Sequence, residues 1–259
     1  MVLLLIGLFV LGCCIGSFIN ASEYRLAKSL PIANDRSRCR SCKKPLAWYD
    51  LIPLVSFLVL SGKCRSCHAP ISKQYPLVEA ATGALFALAG YMAGLSGADV
   101  LDGQTIFRLM RDIIVVSVAV FLFVYDYKYT LLPDAVTVPS IVLFAACSWW
   151  LGLHWQSLLV GMVVGGGFFL VQYAVSSGAW VGGGDIRFGA MLGALFGWPM
   201  VLVALFVSYV TGAVVGGGLL ALGKKKPGDA IPFGTFLSVG MLFTLWWGEA
   251  VIAWYAQWL

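Results

Sequence analysis

Charge is scarce in this chain of 259 residues: only 11% are Asp, Glu, Lys or Arg, against 60% hydrophobic. That scarcity excludes a soluble globular domain, because the apolar runs repeatedly reach the ~20 residues that span a bilayer. Ile113 to Val124 and Val201 to Val210 are apolar all round, each broken only by a serine, where a soluble domain would show amphipathic stripes. Basic residues are missing ahead of the first apolar run, and apolar sequence continues past Cys13. Val10-Leu11-Gly12-Cys13 therefore reads as part of a first span and not as a cleaved lipoprotein signal. Also missing is a strand-GxGxxG-helix unit, which excludes a Rossmann-type nucleotide site.

What is present describes an all-α, polytopic membrane protein. Eight transmembrane helices are expected, at about 2–22, 77–96, 109–126, 134–152, 156–177, 186–199, 200–222 and 231–255, the sixth and seventh being hard to separate. The one polar stretch of any size lies between the first two spans, and Arg25 to Lys73 holds ten of the seventeen Lys and Arg residues. By the positive-inside rule that loop is cytoplasmic. Counting spans from it puts Lys128, Arg187 and Lys224 to Lys226 inside too, with Arg108 and Arg111 on the far side and both termini outside. Orientation signals and anionic membrane lipids account for the net charge of +5, so no nucleic-acid partner is implied.

Gly161 and Gly165, Gly189, Gly193 and Gly197, and Gly212 and Gly216 fall at helical spacing, a signal for close helix packing in lipid. No long internal repeat is evident.

Cys39-Arg-Ser-Cys42 and Cys64-Arg-Ser-Cys67 are two CxxC pairs separated by 21 residues in the polar loop. Four thiolates at that spacing can close a tetrahedral, structural zinc site with no open position. A pair of disulfides is the alternative, opposed by a reducing compartment. A loop with so few apolar groups cannot bury a core of its own, so the metal would supply its folding energy. His68, beside Cys67, is read as a solvated loop residue.

Two acids sit where a membrane protein avoids them: Asp126 in YDYKYTLLPD and Asp185 in VGGGDIRFG. An ionisable group near hydrocarbon costs about 2.5–3.5 kcal/mol on insertion scales, which marks it as a functional candidate. Both fall at the same membrane boundary, Asp185 near a helix N-terminus and behind Gly182, Gly183 and Gly184, a run that permits positive φ and close approach of a substrate strand. A pair of carboxylates sharing a proton would titrate as a unit and could activate water. Separate ion pairs, Asp126 with Lys128 and Asp185 with Arg187, remain open as an alternative, as does a proton pathway in a transporter. Glu23 is expected to pair with Arg25, and Asp112 to form a solvated ion pair with Arg108 and Arg111.

Motifs in order along nearly the whole chain resemble the type IV prepilin peptidases, a family of GxGD aspartyl proteases in bacterial inner membranes. They are Gly16-Ser17-Phe18-Ile19-Asn20 with Tyr24 and Arg25; the paired CxxC loop with Asp50, Ile52, Pro53 and Ser56; Gln74-Tyr75-Pro76-Leu77-Val78-Glu79; Asp126 with Leu131-Leu132-Pro133-Asp134; Gly182-Gly183-Gly184-Asp185; and Ile231-Pro232-Phe233-Gly234. The resemblance implies that Asp126 and Asp185 are the catalytic pair, supported by Gly182, Gly184, Lys128 and Arg187. It implies substrates that are prepilins or pseudopilins of type IV pilus and type II secretion systems, cut on the cytoplasmic side after glycine. It further implies transfer of a methyl group from S-adenosylmethionine to the new N-terminal amine, an activity associated with the cysteine-rich domain and with Gly62, Lys63 and Glu79. Three segments follow: a first transmembrane helix (1–25), a cytoplasmic zinc-binding domain (26–76) and a transmembrane peptidase domain (77–259). Arg187 departs from the lysine usual there, and its planar fork would hold a carboxylate differently. Asp134 is expected to cap the fourth span rather than catalyse.

Overall fold

The computed structural model describes residues 2–32, 36–94, 102–226 and 231–258. Two compact units divide the chain, Met1–Phe121 and Leu122–Leu259, and the described residues are helical apart from loops and two isolated bridges.

In the first unit, α1 (Val2–Ala27) packs on α3 (Gln74–Met92). Their closeness follows from glycine on both. A Cβ at Gly12 would lie 2.7 Å from the Thr82 carbonyl oxygen, one at Gly16 2.8 Å from the Glu79 Cα, and one at Gly83 2.7 Å from the Cys13 Sγ. Rising numbers on α1 meet falling numbers on α3, so the pair is antiparallel. A short 3-10 turn (Trp48–Leu51) and α2 (Val55–Val59) lie in the loop between them, and α4 (Gly103–Tyr129) begins in this unit. Asp112 pairs with Arg111 at 2.7 Å but is only 5% exposed, so the expected solvated pair is in fact a buried one.

The second unit holds the end of α4, then α5 (Asp134–Trp150), α6 (Trp155–Ser176), α7 (Gly183–Phe196), α8 (Met200–Ala221) and α9 (Phe233–Ala256). Of the glycines at helical spacing, Gly161 and Gly165 on α6 and Gly189 and Gly193 on α7 are the contact surfaces of that pair, whereas Gly212 on α8 faces Phe233 and Phe236 of α9. A Cβ at Gly193 would sit 2.1 Å from the Gly161 oxygen, and one at Gly165 2.2 Å from the Gly189 oxygen. Such backbone contact holds helices together in lipid, where no hydrophobic force drives them together. Helices α8 and α9 cross closely at Gly240, whose Cβ would lie 2.1 Å from Ser208 Oγ. The break that the sequence left indistinct falls at Gly197, with φ +65, and a cis Trp198–Pro199 bond. Proline lacks the N–H that a continuing helix would need.

Side-chain polarity is inverted relative to a soluble protein. Val163, Leu170, Val171, Phe206 and Val214 are exposed, whereas Ser148, Ser208, Ser238 and Thr244 are buried. Four helices among the described residues, α1, α6, α8 and α9, are long and apolar enough to cross a membrane, and α5 is a shorter apolar helix.

Candidate active site and metal centre

Asp126 lies in the last turn of α4 and Asp185 in the first turn of α7. They are 4% and 8% exposed, and Asp185 is among the charges felt by Asp126. Backbone amides hold both. Thr235 N–H, in the first turn of α9, donates to Asp126 Oδ2 at 2.9 Å, and Gly182 N–H donates to Asp185 Oδ2 at 2.9 Å. Asp185 is the third residue of its helix and reaches back to the cap, where a carboxylate meets otherwise unsatisfied amides and the positive end of the helix dipole. Buried carboxylates usually carry a cationic partner, yet among the described residues neither has one. Arg187 pairs with Asp134 across the starts of α7 and α5, Nη1 to Oδ2 at 2.5 Å, and not with Asp185. Lys128 lies with its ammonium 5.9 Å from the Tyr129 ring. The separate ion pairs left open by the sequence are therefore not formed.

Leu132, in the connection between α4 and α5, ties the three helix ends together. A Cβ at Gly184 would lie 2.9 Å from Leu132 Cβ, and one at Gly234 2.9 Å from Leu132 Cδ2 and 3.0 Å from Asp126 Cγ. This revises the reason for the glycine run: Gly182, Gly183 and Gly184 are absent from the positive-φ residues. Gly184 instead makes room for Leu132, while Gly182 and Gly183 have neighbours no nearer than 3.7 Å. Thr235 was missed because it contributes a backbone amide, which leaves no mark in residue type. Tyr209, a phenol between Ser208 and Thr211 in a largely apolar helix, could have been noticed. It donates to Gln172 Oε1 at 2.9 Å and packs against the rings of Phe169 and Phe233.

In the first unit the four sulfurs of Cys39, Cys42, Cys64 and Cys67 lie within 4.8 Å of one another, and Cys39 Sγ is 3.8 Å from Cys67 Sγ. A tetrahedron with metal–sulfur bonds of about 2.3 Å has edges of about 3.8 Å, so the set fits a metal. All the cysteines are free thiols, which removes the disulfide alternative. The Cys39 thiol is pulled down to about 6, first by the backbone N–H of Cys42.

Two copies of one turn build this centre. Cys39 N–H donates to the Lys44 carbonyl, Lys43 N–H to Cys39 and Leu46 N–H to Ser37; Cys64 N–H donates to Ala69, His68 N–H to Cys64 and Ile71 N–H to Gly62. Lys43 and His68 occupy equivalent left-handed positions, φ +61 and +56. His68 thus has a conformational place in the second turn. The repeat was legible in the doubled Cys-Arg-Ser-Cys but too short to count as a long one.

Glu79 is 6% exposed and accepts the Leu54 N–H at 2.8 Å. Gly62 takes φ +68, and Lys63 bridges Pro70. Glu23 has Arg40 at 3.8 Å and the Gln74 amide at 3.5 Å, while Arg25 donates to the Ile32 carbonyl at 2.6 Å.

Fold and site define a helical membrane protein with a backbone-held pair of buried aspartates and a separate four-thiol centre. Residues 10–93 match the Bacterial Peptidase A24 N-terminal domain and residues 113–217 the Type IV leader peptidase family. The chain is 31% identical over 251 residues to the prepilin leader peptidase/N-methyltransferase of Bacillus subtilis, covering 96% of this chain and 97% of that one. It is 38% identical over 226 residues to the protein of that description from Myxococcus xanthus, covering 85% and 64%. With the one from Stutzerimonas stutzeri it shares 32% over 291 residues, covering 96% and 92%. The chain belongs to the type IV leader peptidase family. No solved structure matches it.

Proposed function

We propose that the chain removes the leader of type IV prepilins or pseudopilins and then methylates the new N-terminal amine with S-adenosylmethionine, as the description of its relatives indicates for them. The observation that carries the peptidase reading is the pair of buried aspartates, each held by a backbone amide and neither neutralised by a cation among the described residues. Amide donors fix the carboxylates without removing their capacity to exchange protons. One carboxylate takes a proton from water as its oxygen attacks the scissile carbonyl carbon. The other, protonated, donates to the carbonyl oxygen and then a proton reaches the leaving amine as the C–N bond breaks. The roles are those of a pair that titrates as a unit, so neither Asp126 nor Asp185 is assigned one microscopic state. Gly182 and Gly183, where even a Cβ would meet nothing nearer than 3.7 Å, suit the approach of an extended leader, and Arg187 is held by Asp134 at the same helix end.

In this reading residues 77–259 carry the peptidase and 26–76 the cysteine domain associated with methylation. The four thiolates hold zinc, whose part is structural because no position is left for water. The eight spans expected from the sequence, α1 and α3 to α9 among the described residues, cross the bacterial cytoplasmic membrane in this reading, with the cysteine loop and the aspartates at the cytoplasmic face, as the distribution of Lys and Arg favours. Anionic lipids meet that basic face, and no nucleic acid is needed.

Mass spectrometry of a prepilin-type substrate incubated with the purified protein in detergent tests this, with and without S-adenosylmethionine, beside Asp126→Asn and Asp185→Asn. Wild type is expected to remove the leader and add one methyl group, and both variants to cut nothing. Variants that cut as well as wild type would refute the aspartyl mechanism.

A further inference from the structure

We infer that a cavity in the first unit is the binding site for the methyl donor, a sulfonium nucleoside, with Glu79 facing its positive charge; this rests on the methylation reading above. The cavity has a volume of about 470 Å³ and lies between the ends of α1 and α3 and the cysteine loop, all within one unit. That size suits a small nucleoside ligand.

The wall supplies a complement to each part of such a molecule. Tyr24, Phe57 and Tyr75 offer aromatic faces for a base. Arg40 sits 4.1 Å from the Tyr24 ring and 5.3 Å from the Tyr75 ring, with one amino group 3.8 Å from Glu23, which leaves the other N–H groups of its fork for an amino-acid carboxylate. The acids on the wall differ in one respect. Asp50 is already taken by Arg65, through Nε at 3.0 Å and Nη2 at 2.9 Å to one oxygen. Glu79 has the Leu54 amide but no cation among the described residues, although it is 6% exposed.

A buried carboxylate without a countercharge is costly, and a cationic ligand in the adjoining cavity supplies the missing charge. Leu54 itself stands at φ +61, a conformation unfavourable for a residue with a branched side chain, while its amide is aimed at Glu79. Gly62 belongs to the same place. A Cβ there would meet Phe57 Cζ at 3.0 Å, so the glycine leaves Phe57 room in the cavity wall.

The test is equilibrium binding, by calorimetry on the full chain in detergent, of S-adenosylmethionine and of S-adenosylhomocysteine, its thioether analogue without the sulfonium charge. Glu79→Gln is expected to weaken the sulfonium ligand about tenfold or more and the thioether less than about threefold, since only the former loses a charge pair. Glu79→Asp, which keeps the charge, is expected to keep the preference. Tyr24→Leu, which removes a stacking face, is expected to weaken both ligands alike. Equal loss of both ligands in Glu79→Gln, or loss of neither, overturns the assignment. Mass spectrometry of precut substrate separates the two levels: a wild type that never methylates defeats the methylation reading, whereas methylation with unaltered ligand preference in Glu79→Gln defeats only the pocket.

Discussion

Gly234→Ala should uncouple Asp126 from the end of α9 that holds it. The added Cβ would lie 3.0 Å from Asp126 Cγ and Oδ2 and 2.9 Å from Leu132 Cδ2, whereas carbon contacts are comfortable at about 3.5–4.0 Å. The carboxylate must therefore retreat by about 0.5–1 Å, and its 2.9 Å bond from Thr235 N–H must stretch toward the limit of a hydrogen bond. Displacing a reacting group by about 1 Å costs on the order of 100-fold in rate, equivalent to about 2.7 kcal/mol of barrier. Overpacking adds a folding cost of about 1–3 kcal/mol. Leader cleavage followed by mass spectrometry is expected to show kcat/KM lowered about 100-fold. Gly217→Ala serves as the control, because a Cβ there meets nothing within 4 Å. Monodispersity and metal content distinguish misplacement from misfolding. Cleavage by a folded Gly234→Ala protein within about threefold of wild type would refute the idea that α9 positions Asp126.

Asp134→Asn is expected to leave cleavage within about fivefold of wild type. Its pair with Arg187 is between side chains 57% and 40% exposed, and such pairs are worth about 0–1 kcal/mol; a loss like that of Asp126→Asn in the same assay would give Asp134 a catalytic role instead. Gly193→Ala should lower thermal stability in detergent far more than Gly217→Ala, since its Cβ would overlap Gly161 O at 2.1 Å and force α6 from α7. Equal melting temperatures for the two would show that this crossing yields freely. Cys42→Ser, or extraction of the metal by chelation, is expected to remove one bound zinc per chain by elemental analysis and to expose the loop to protease, because the metal supplies folding energy that the loop lacks. Unchanged protease resistance in metal-free protein would mean that the loop holds itself.

Much of the candidate site was legible because it is written in residue types with few bland uses. An acid beside an apolar run is costly, and four cysteines in two CxxC pairs have little to do but bind metal, so Asp126, Asp185 and the thiol cluster stood out. The same logic failed where several partners were possible. Arg187 is two residues from Asp185 but pairs with Asp134, since neighbours two apart on a helix point to different faces. Asp112 found its expected partner yet is buried.

By itself the sequence determined the helical membrane class, the two out-of-place acids, the four-cysteine set and the glycines that let helices touch, all of which depend on local composition and period. Only the tertiary structure decided what surrounds them. It brought the Thr235 amide to Asp126 and seated Leu132 between Gly184 and Gly234. It also left Glu79 beside a cavity and, among the described residues, without an ion-pair partner. The physical reason is that these effects come from backbone groups and empty space at long sequence separation. Any residue carries the same amide, and a cavity has no letter.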